Sequence, residues 1–363
     1  MADKNKNAGA RLLKTAGSCW SKYSYVFVFI IILIVYAITI NANGNRFNPN
    51  HISGILSSQN TVIVGTMAIG MAMVIITGQI DLSLGSSLVL CTGVTIMAYN
   101  ATGGNVLVML LAALGSGLIC GTINGVLVGY AKMPPFIVTL GTMLIYRSLT
   151  LSVVRELDPA LTGSSSSQFS MLSSMDSYDF LRMKFGTGSL NLGIKIPYIS
   201  FLFVALTLLF IFIMSSTKYG KSIYAVGSNE KTARLTGINV EAVKVSVFSV
   251  TGLLVGVASF IQACKIGNVT PASSGTSYEM YAIAAVVLGG VNMAGGRGKI
   301  LGVFFGALSY TTINFIIVSI PSLSPDIQNT FQGLVLICVI LVQTAGPVIK
   351  ERFRAMRKHN KLT

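Results

Sequence analysis

Residues whose types and spacing could do chemistry are few in this chain and lie far apart. The two histidines, His51 and His359, are separated by most of the sequence and cannot share a metal site. The five cysteines show no CxxC spacing, so we interpret them as small hydrophobic residues. The stretch "YGKS" (219–222) resembles the end of a phosphate-binding loop, but Ser215 stands where the first glycine of that pattern would fall. We therefore expect no catalytic residues, no metal and no nucleotide bound by this chain.

Three ionisable residues, Asp81, Arg147 and Glu279, stand inside long apolar stretches. Carriers that run on a proton or sodium gradient generally need carboxylates or equivalent groups within the membrane. Because so few are present here, we expect the energy for any transport to come from another protein. For Asp81 two interpretations stay open: a polar residue near the inner mouth of a pathway, or a cap for the helix that follows it. Arg147 is expected to extend its cation to the membrane surface.

A neutral, hydroxylated cargo would need neither carboxylates nor cations along its route. Weak contacts from amide and hydroxyl groups would be sufficient to guide it. The candidate residues for such a pathway are Asp81, Asn124, Phe136, Tyr146, Asn292 and Asn314.

Composition defines the class of protein that must position these residues. Of 363 residues, 52% are hydrophobic and 10% are charged, whereas a soluble domain carries about 25% charged residues. The mean hydropathy is +0.72, so the chain is predicted to be a polytopic membrane protein. The net charge of +15 lies at the two ends and in loops, which indicates membrane topology and argues against a nucleic-acid partner.

The apolar runs predict an all-α fold of about ten transmembrane helices, each near the 20 residues or so that cross a bilayer. An even number of spans places both termini on one side, and the distribution of Lys and Arg makes that side cytoplasmic. We expect a basic N-terminal segment (1–23), a transmembrane domain (24–347) and a basic tail (348–363). The predicted spans are 24–41, 55–77, 82–99, 105–130, 135–154, 198–215, 243–263, 278–293, 299–320 and 327–347.

Two segments between spans are long enough to have roles of their own. Residues 155–197, rich in Ser, Gly and Asp, are predicted to be external, either as a surface for an outside partner or as a solvated loop. Residues 216–242 are predicted to be cytoplasmic, and they contain a short polar helix at 230–236. Asn229 is placed to cap this helix and Gly237 to end it in a left-handed conformation. We expect the small side chain of Ala233 to lie on a face that docks on a partner; the alternative is a loop satisfied by its own contacts.

Small residues predict where the spans pack closely, and polar breaks predict where they are interrupted. Glycines four residues apart let helix backbones approach closely in a membrane. The stretches "TGQIDLSLGSS" (77–87) and "GGVNMAGGRGK" (289–299) interrupt the apolar pattern, as discontinuous helices of transporters do. The predicted packing glycines are Gly117, Gly121, Gly125, Gly129, Gly298, Gly302 and Gly306.

Four stretches in this order carry a family resemblance. With them, the chain resembles the permease subunits of ATP-binding-cassette importers for monosaccharides, the ribose, xylose and galactoside group, from about residue 60 to 342. The resemblance implies a vitamin-B12-importer-like (type II) permease fold in the bacterial cytoplasmic membrane. The stretches are "TGQIDLSLGS" (77–86), "NGVLVGYAKMPPFIVTLGTM" (124–143), "YGKSIYAVGSNEKTARLTGINV" (219–240) and "YAIAAVVLGGVNMAGGRGKILGVFFGA" (281–307).

The resemblance also implies partners and a docking element. The partners are a cytoplasmic ATPase that uses ATP and Mg²⁺, an external sugar-binding protein and a second permease copy, identical or different. The cargo is a neutral sugar of the ribose or galactose type; a nucleoside, an autoinducer-type sugar or a branched-chain amino acid are alternatives, and a self-sufficient secondary carrier is another. The residues implied to couple to the ATPase are Gly227, Ser228, Asn229, Glu230, Ala233, Arg234, Leu235 and Gly237.

Overall fold

A computed structural model of the chain describes residues 24–58, 60–164, 167–191 and 195–320, with single positions at 327, 330, 333, 334, 337 and 341. The chain divides into two compact units, residues 47–311 and residues 1–46 together with 312–363. The predicted terminal segments, 1–23 and 348–363, lie outside the described residues. The three domain boundaries therefore stay a prediction.

The described part of the chain is mostly helical, with four very short strands. The strands are β1 (Phe169–Ser170), β2 (Ser189–Asn191), β3 (Lys195–Pro197) and β4 (Asn268–Val269). The helices are α1 (Ser24–Ala42), α2 (Pro49–Ser57), α3 (Gly65–Ile76), α4 (Leu84–Ala101), α5 (Val106–Gly129), α6 (Pro135–Glu156), α7 (Pro159–Thr162), α8 (Ser177–Leu181), α9 (Tyr198–Ser216), α10 (Lys218–Ser228), α11 (Glu230–Leu235), α12 (Val240–Ile266), α13 (Tyr278–Leu288) and α14 (Ile300–Val318).

Seven described helices (α1, α4, α5, α6, α9, α12 and α14) are long and apolar enough to cross a membrane. The bent pair formed by α2 and residues 60–76 makes an eighth. This confirms the all-α polytopic prediction. The predicted tenth span, 327–347, falls outside the described residues apart from single positions.

Two predicted spans differ from the structure. The span at 55–77 is not continuous, because α2 ends at Ser57 and a π-helical turn at Asn60–Val64 leads into α3. The span at 278–293 is wrong as a full crossing, since α13 has 11 residues and about 20 are needed. Gly290 takes a left-handed φ of +77°, and the Val291 N–H turns back to the Val286 carbonyl, which ends the helix early.

Local signals in the sequence explain several helix ends. The Asn105 side chain accepts hydrogen bonds from two N–H groups in the first turn of α5. Helix α6 begins at Pro135, whose missing N–H costs nothing at that position. At the other end of α12, Gly267 has a φ of +79° and caps the helix.

Helix α12 is the centre of the larger unit and packs along α5, α3 and α4. The four predicted glycines of α5 lie against its backbone. A Cβ added at Gly121 would stand 2.8 Å from the Cα of Gly252, and one at Gly117 would stand 2.8 Å from the Cα of Gly256. The two backbones are therefore in contact without side chains between them, as close helix packing in a membrane requires.

The second predicted set of glycines divides between two places in the structure. A Cβ at Gly306 would lie 2.7 Å from the N of Gly289, and Gly302 also packs on Gly289, so α14 approaches the end of α13 closely. Gly298 does not belong to this helix contact. It precedes α14 and packs on the Val291 side chain within the polar break, because the helix starts two residues later than the spacing suggested.

The segment predicted as external, 155–197, is folded rather than a loose loop. Strand β1 pairs with β4 and β2 pairs with β3, both antiparallel. Phe169 is fully buried. The Asn100 side chain donates to the carbonyls of Leu161 and Ser170 and accepts from the Leu172 N–H. These contacts hold the described part of the segment on the end of α4.

Candidate functional site

The short polar helix α11 has the predicted local structure. The Asn229 side chain accepts a hydrogen bond from the Thr232 N–H at 2.9 Å and caps its first turn. Gly237 has a φ of +83°, and the Ile238 N–H bonds to the Ala233 carbonyl at 3.1 Å, which is the hydrogen-bond pattern of a glycine-capped helix end. Such a short helix needs tertiary support. Helices α10 and α12 supply it by packing against α11.

Two ion pairs connect α11 to the first turns of α12, and a third lies within α11. Arg234 contacts Glu241 at 2.7 Å and Glu230 at 3.6 Å, and Lys244 contacts Glu230 at 2.9 Å. These side chains border a cavity of about 420 Å³ that also touches the α5–α6 turn at Lys132. The base of α11 is therefore held by charges of both signs rather than by an apolar core.

The two apolar side chains of α11, Ala233 and Leu235, differ in exposure. Ala233 is 3% exposed, so the expectation that it lies on a docking face is wrong. The small side chain is covered within the chain itself, where α11 packs against α10 and α12. Leu235 is 88% exposed. Leu235 is therefore the apolar side chain of α11 that is accessible from outside the chain.

Gly227, near the end of α10, contacts the backbone at both polar breaks, 77–87 and 289–299. A Cβ at this position would overlap the Ile76 carbonyl and lie 2.9 Å from the N of Gly296. The Gly296 N–H itself donates to the Ile76 carbonyl at 2.8 Å. The end of α3, the end of α10 and the α13–α14 loop therefore meet backbone to backbone. We name this contact the glycine junction.

Asp81 and Asn124 form a buried polar cluster in the first break. The Asp81 carboxylate accepts from the Ser83 N–H at 2.8 Å and from the Ser83 hydroxyl at 2.6 Å. The Asn124 amide donates to the same hydroxyl oxygen at 2.8 Å. Asp81 thus satisfies the backbone at the entrance of α4, although Ser83 holds the N-cap position itself. Both Asp81 and Asn124 are buried, so neither faces an open channel in this structure.

The other predicted pathway residues do not converge on one place. Tyr146 is buried near this cluster and donates to the Cys120 carbonyl at 3.1 Å, one turn of α5 before Asn124. Phe136 is 55% exposed on α6. Asn292 is exposed and accepts from the Ala294 N–H, so it shapes the second break locally. Asn314 lies on α14 in the part that belongs to the other unit. A pathway role for these residues stays a prediction.

Arg147 binds backbone carbonyls of a distant loop, and its predicted extension to the membrane surface stays a prediction. One guanidinium nitrogen donates to the carbonyls of Pro271 and Ser274, both at 2.6 Å. These carbonyls belong to the β4–α13 loop, residues 270–277. Sequence reasoning missed this role because the partners are backbone atoms more than 120 residues away, which leave no mark on side-chain patterns.

Comparison with known proteins gives a consistent family. Residues 52–340 match the family described as the permease component of the branched-chain amino acid transport system. The ribose import permease protein RbsC of Escherichia coli (strain K12) is 36% identical over 300 residues, which cover 82% of this chain and 87% of the relative. RbsC of Bacillus subtilis (strain 168) is 35% identical over 284 residues, 78% of this chain and 82% of the relative.

A further relative is named for a different cargo. The autoinducer 2 import system permease protein LsrC of Photorhabdus luminescens is 32% identical over 297 residues, 81% of this chain and 82% of the relative. No solved structure matches the chain. Because the family match and the relatives each cover most of the chain, and because the described helices are those of a multi-pass membrane protein, the chain belongs to the permease-component family of the branched-chain amino acid transport system.

Proposed function

We propose that this chain is the membrane-spanning permease subunit of an ATP-driven importer for a neutral monosaccharide, either a ribose-type pentose or a galactose-type hexose. It provides the route across the membrane, and a separate cytoplasmic ATPase hydrolyses ATP with Mg²⁺. An external sugar-binding protein delivers the cargo. A second permease copy, identical or homologous, completes the pathway.

The observation that carries this proposal is the similarity to ribose import permeases over about four fifths of the chain. Two features support it. Helix α11 is capped and ion-paired at its base, yet exposes Leu235 almost completely. The apolar stretches also hold few ionisable residues (Asp81, Arg147 and Glu279), which leaves few groups for coupling to a proton or sodium gradient. In the proposal, the energy comes from the ATPase, and Leu235 offers that partner an apolar anchor.

The proposed orientation follows from the basic residues. Both termini and residues 216–242 are assigned to the cytoplasm and residues 155–197 to the outside, because Lys and Arg concentrate on the inner side of such proteins. Cysteines introduced at Ser228 and Leu190, both exposed, test this assignment. In intact cells, an impermeant thiol reagent should label position 190 and not 228; the reverse pattern would refute the orientation.

A second candidate cargo is an autoinducer-2-type sugar derivative, favoured by the LsrC relative. Its chemistry resembles that of ribose, since both molecules are small and rich in hydroxyl groups. A branched-chain amino acid, the cargo named in the family description, is zwitterionic and needs partners for two charges. Transport assays that compare D-ribose, autoinducer-2 and L-leucine separate these cargoes.

The direct test is uptake of radiolabelled D-ribose by cells that contain this chain, its ATPase and its binding protein. Uptake should disappear when the ATPase carries a substitution that blocks ATP hydrolysis. The purified chain alone, in liposomes with a proton or sodium gradient, should transport nothing. Gradient-driven uptake by the chain alone would reject the importer proposal in favour of a secondary carrier.

A further inference from the structure

A second cavity, of about 280 Å³, lies at the end of α12 opposite to α11. Its lining includes Gln262 and Ile266 from α12 and Tyr278 and Tyr281 from α13. At 1.5 Å per residue, Gln262 stands roughly 33 Å along α12 from its first residue, Val240. In the proposed orientation the cavity is therefore at the outer end of the helix, where cargo arrives.

One wall of this cavity is the β4–α13 loop, which is fixed in place. Arg147 holds its carbonyls at Pro271 and Ser274. On its other side, the loop is pressed on α4, since a Cβ at Gly275 would lie 2.7 Å from a methyl group of Val89. The wall is thus anchored from α6 and from α4, and the cavity is preorganised rather than formed by a loose loop.

The lining is neutral, polar and aromatic. The described residues that border the cavity include no Lys, Arg, Asp or Glu, and they contribute hydroxyl groups at Ser273, Ser274 and Thr276. The rings of Tyr278 and Tyr281 stand 5.8 Å apart, and Tyr310 lies 5.2 Å behind Tyr281. Aromatic rings beside hydroxyl and amide groups suit a ligand with apolar faces and polar edges. The volume, just below the roughly 300–1,000 Å³ of most ligand sites, suits a molecule of monosaccharide size.

Gln262 is the feature that points to a ligand. Its side chain is 2% exposed, and its amide oxygen has no hydrogen-bond partner among the described residues. A buried amide oxygen without a partner is unfavourable, and such groups are rare unless something absent from the protein satisfies them. This oxygen is enclosed by the protein, so a ligand hydroxyl would reach it only if the Gln262 side chain turned toward the cavity that it borders; the hydrogen bond formed would then remove the penalty.

We propose that this outer cavity, lined by Gln262, Tyr278, Tyr281 and the β4–α13 loop, is a low-affinity binding site that a monosaccharide occupies as it enters the permease. The choice of a sugar rests on the proposed function. The site's neutral lining gives it a preference for uncharged, hydroxylated molecules. Its affinity is weak, in the millimolar range, because few groups contact the ligand and cargo must leave again.

The test uses protection of a cysteine in the cavity wall. Thr276→Cys, in a chain without its native cysteines and assembled with its partners, is modified by a small thiol reagent with and without D-ribose. At a ribose concentration about twice the dissociation constant, modification should slow about threefold, because bound sugar covers the thiol. L-leucine at the same concentration should not protect. Ala101→Cys, also exposed but not part of the cavity lining, serves as the matched control and should show no protection.

Gln262→Leu removes the amide while keeping a buried side chain of similar size, and it should abolish protection at Thr276→Cys. Gln262→Met is the second variant, chosen because a flexible side chain fills an irregular space if leucine does not. Equal modification rates with and without ribose, or full protection in both Gln262 variants, would overturn the site. Ribose uptake is measured in the same cells. Uptake without protection would reject the binding site but not the importer proposal. Protection without uptake would support the binding site and reject the importer proposal.

Discussion

The α5–α12 interface and the α11 segment both involve contacts with α12, and they are built in opposite ways. Along α5, four glycines bring two backbones into direct contact, so nothing adjustable stands between the helices. At α11, one buried methyl group, a cap and a few surface ion pairs hold a short helix whose leucine faces outward. The first arrangement secures the fold, while the second leaves a surface available for association. Substitutions in the two regions should therefore fail in different ways.

The largest effect is expected from Gly121→Val. The added Cβ would meet the Phe248 carbonyl and stand 2.8 Å from the Gly252 Cα, and a backbone cannot move aside as a side chain can. Overpacking costs about 1–3 kcal/mol when side chains yield, and this site should exceed that range. Folded protein recovered from the membrane, measured by size-exclusion chromatography, should fall to near zero. Gly115→Val is the matched control, since it lies on the same helix with no atom within 4 Å of its Cβ. Equal recovery of both variants would contradict a tight interface.

The next effect, expected from Leu235→Asp, concerns association rather than folding. A leucine that becomes fully buried in a partner contributes about 1.5–3 kcal/mol, so its loss should weaken ATPase binding roughly 10- to 100-fold. Thermal stability of the isolated permease should not change, because the side chain is 88% exposed there. Co-purification of the ATPase and ribose uptake measure the loss. Leu235→Met keeps the apolar surface and should retain both; undiminished ATPase binding by Leu235→Asp would remove α11 from the interface.

A moderate effect is expected from Ala233→Leu, and it reverses the role that the sequence suggested for this residue. The larger side chain keeps the helix propensity but has no space at a site only 3% exposed. Stability should fall by about 1–3 kcal/mol, with weaker ATPase binding as a consequence of a displaced α11. Thermal unfolding of the permease alone is the deciding measurement. Unchanged unfolding with lost ATPase binding would instead restore Ala233 to the docking face.

The smallest effect is expected from Glu230→Gln. It removes two exposed ion pairs, to Lys244 and Arg234, while the N-cap from Asn229 and the contact between Arg234 and Glu241 remain. Surface ion pairs contribute little because water screens them. Ribose uptake should stay within about twofold of the parent protein, and the difference should vanish at high salt. A large loss of uptake would show that these charges act in the partner's interface and not only in holding α11.

The comparison also separates what could be predicted from the sequence. The glycine contacts of α5 and the ends of α11 depend on residues within a few positions of one another, so spacing and capping rules predicted them. The burial of Ala233 depends on where α10 and α12 lie, and the clamp by Arg147 depends on carbonyls far along the chain. Helix α13 is shorter than predicted because the predicted span ran into the polar break at 289–299, where the left-handed φ of Gly290 ends the helix. Local rules therefore predicted elements and caps, whereas tertiary neighbours decided which face of each element is free.

The glycine junction has a mechanical consequence. Most contacts between segments pass through side chains, whose rotamers can change and so absorb part of a displacement. Here the Gly227 backbone packs directly against the Ile76 carbonyl and the Gly296 N–H. No side chain lies between these three backbone segments. A displacement of the end of α10 should therefore displace the end of α3 and the α13–α14 loop by a similar amount. The three segments are therefore expected to move together, because no flexible side chain between them can absorb the displacement.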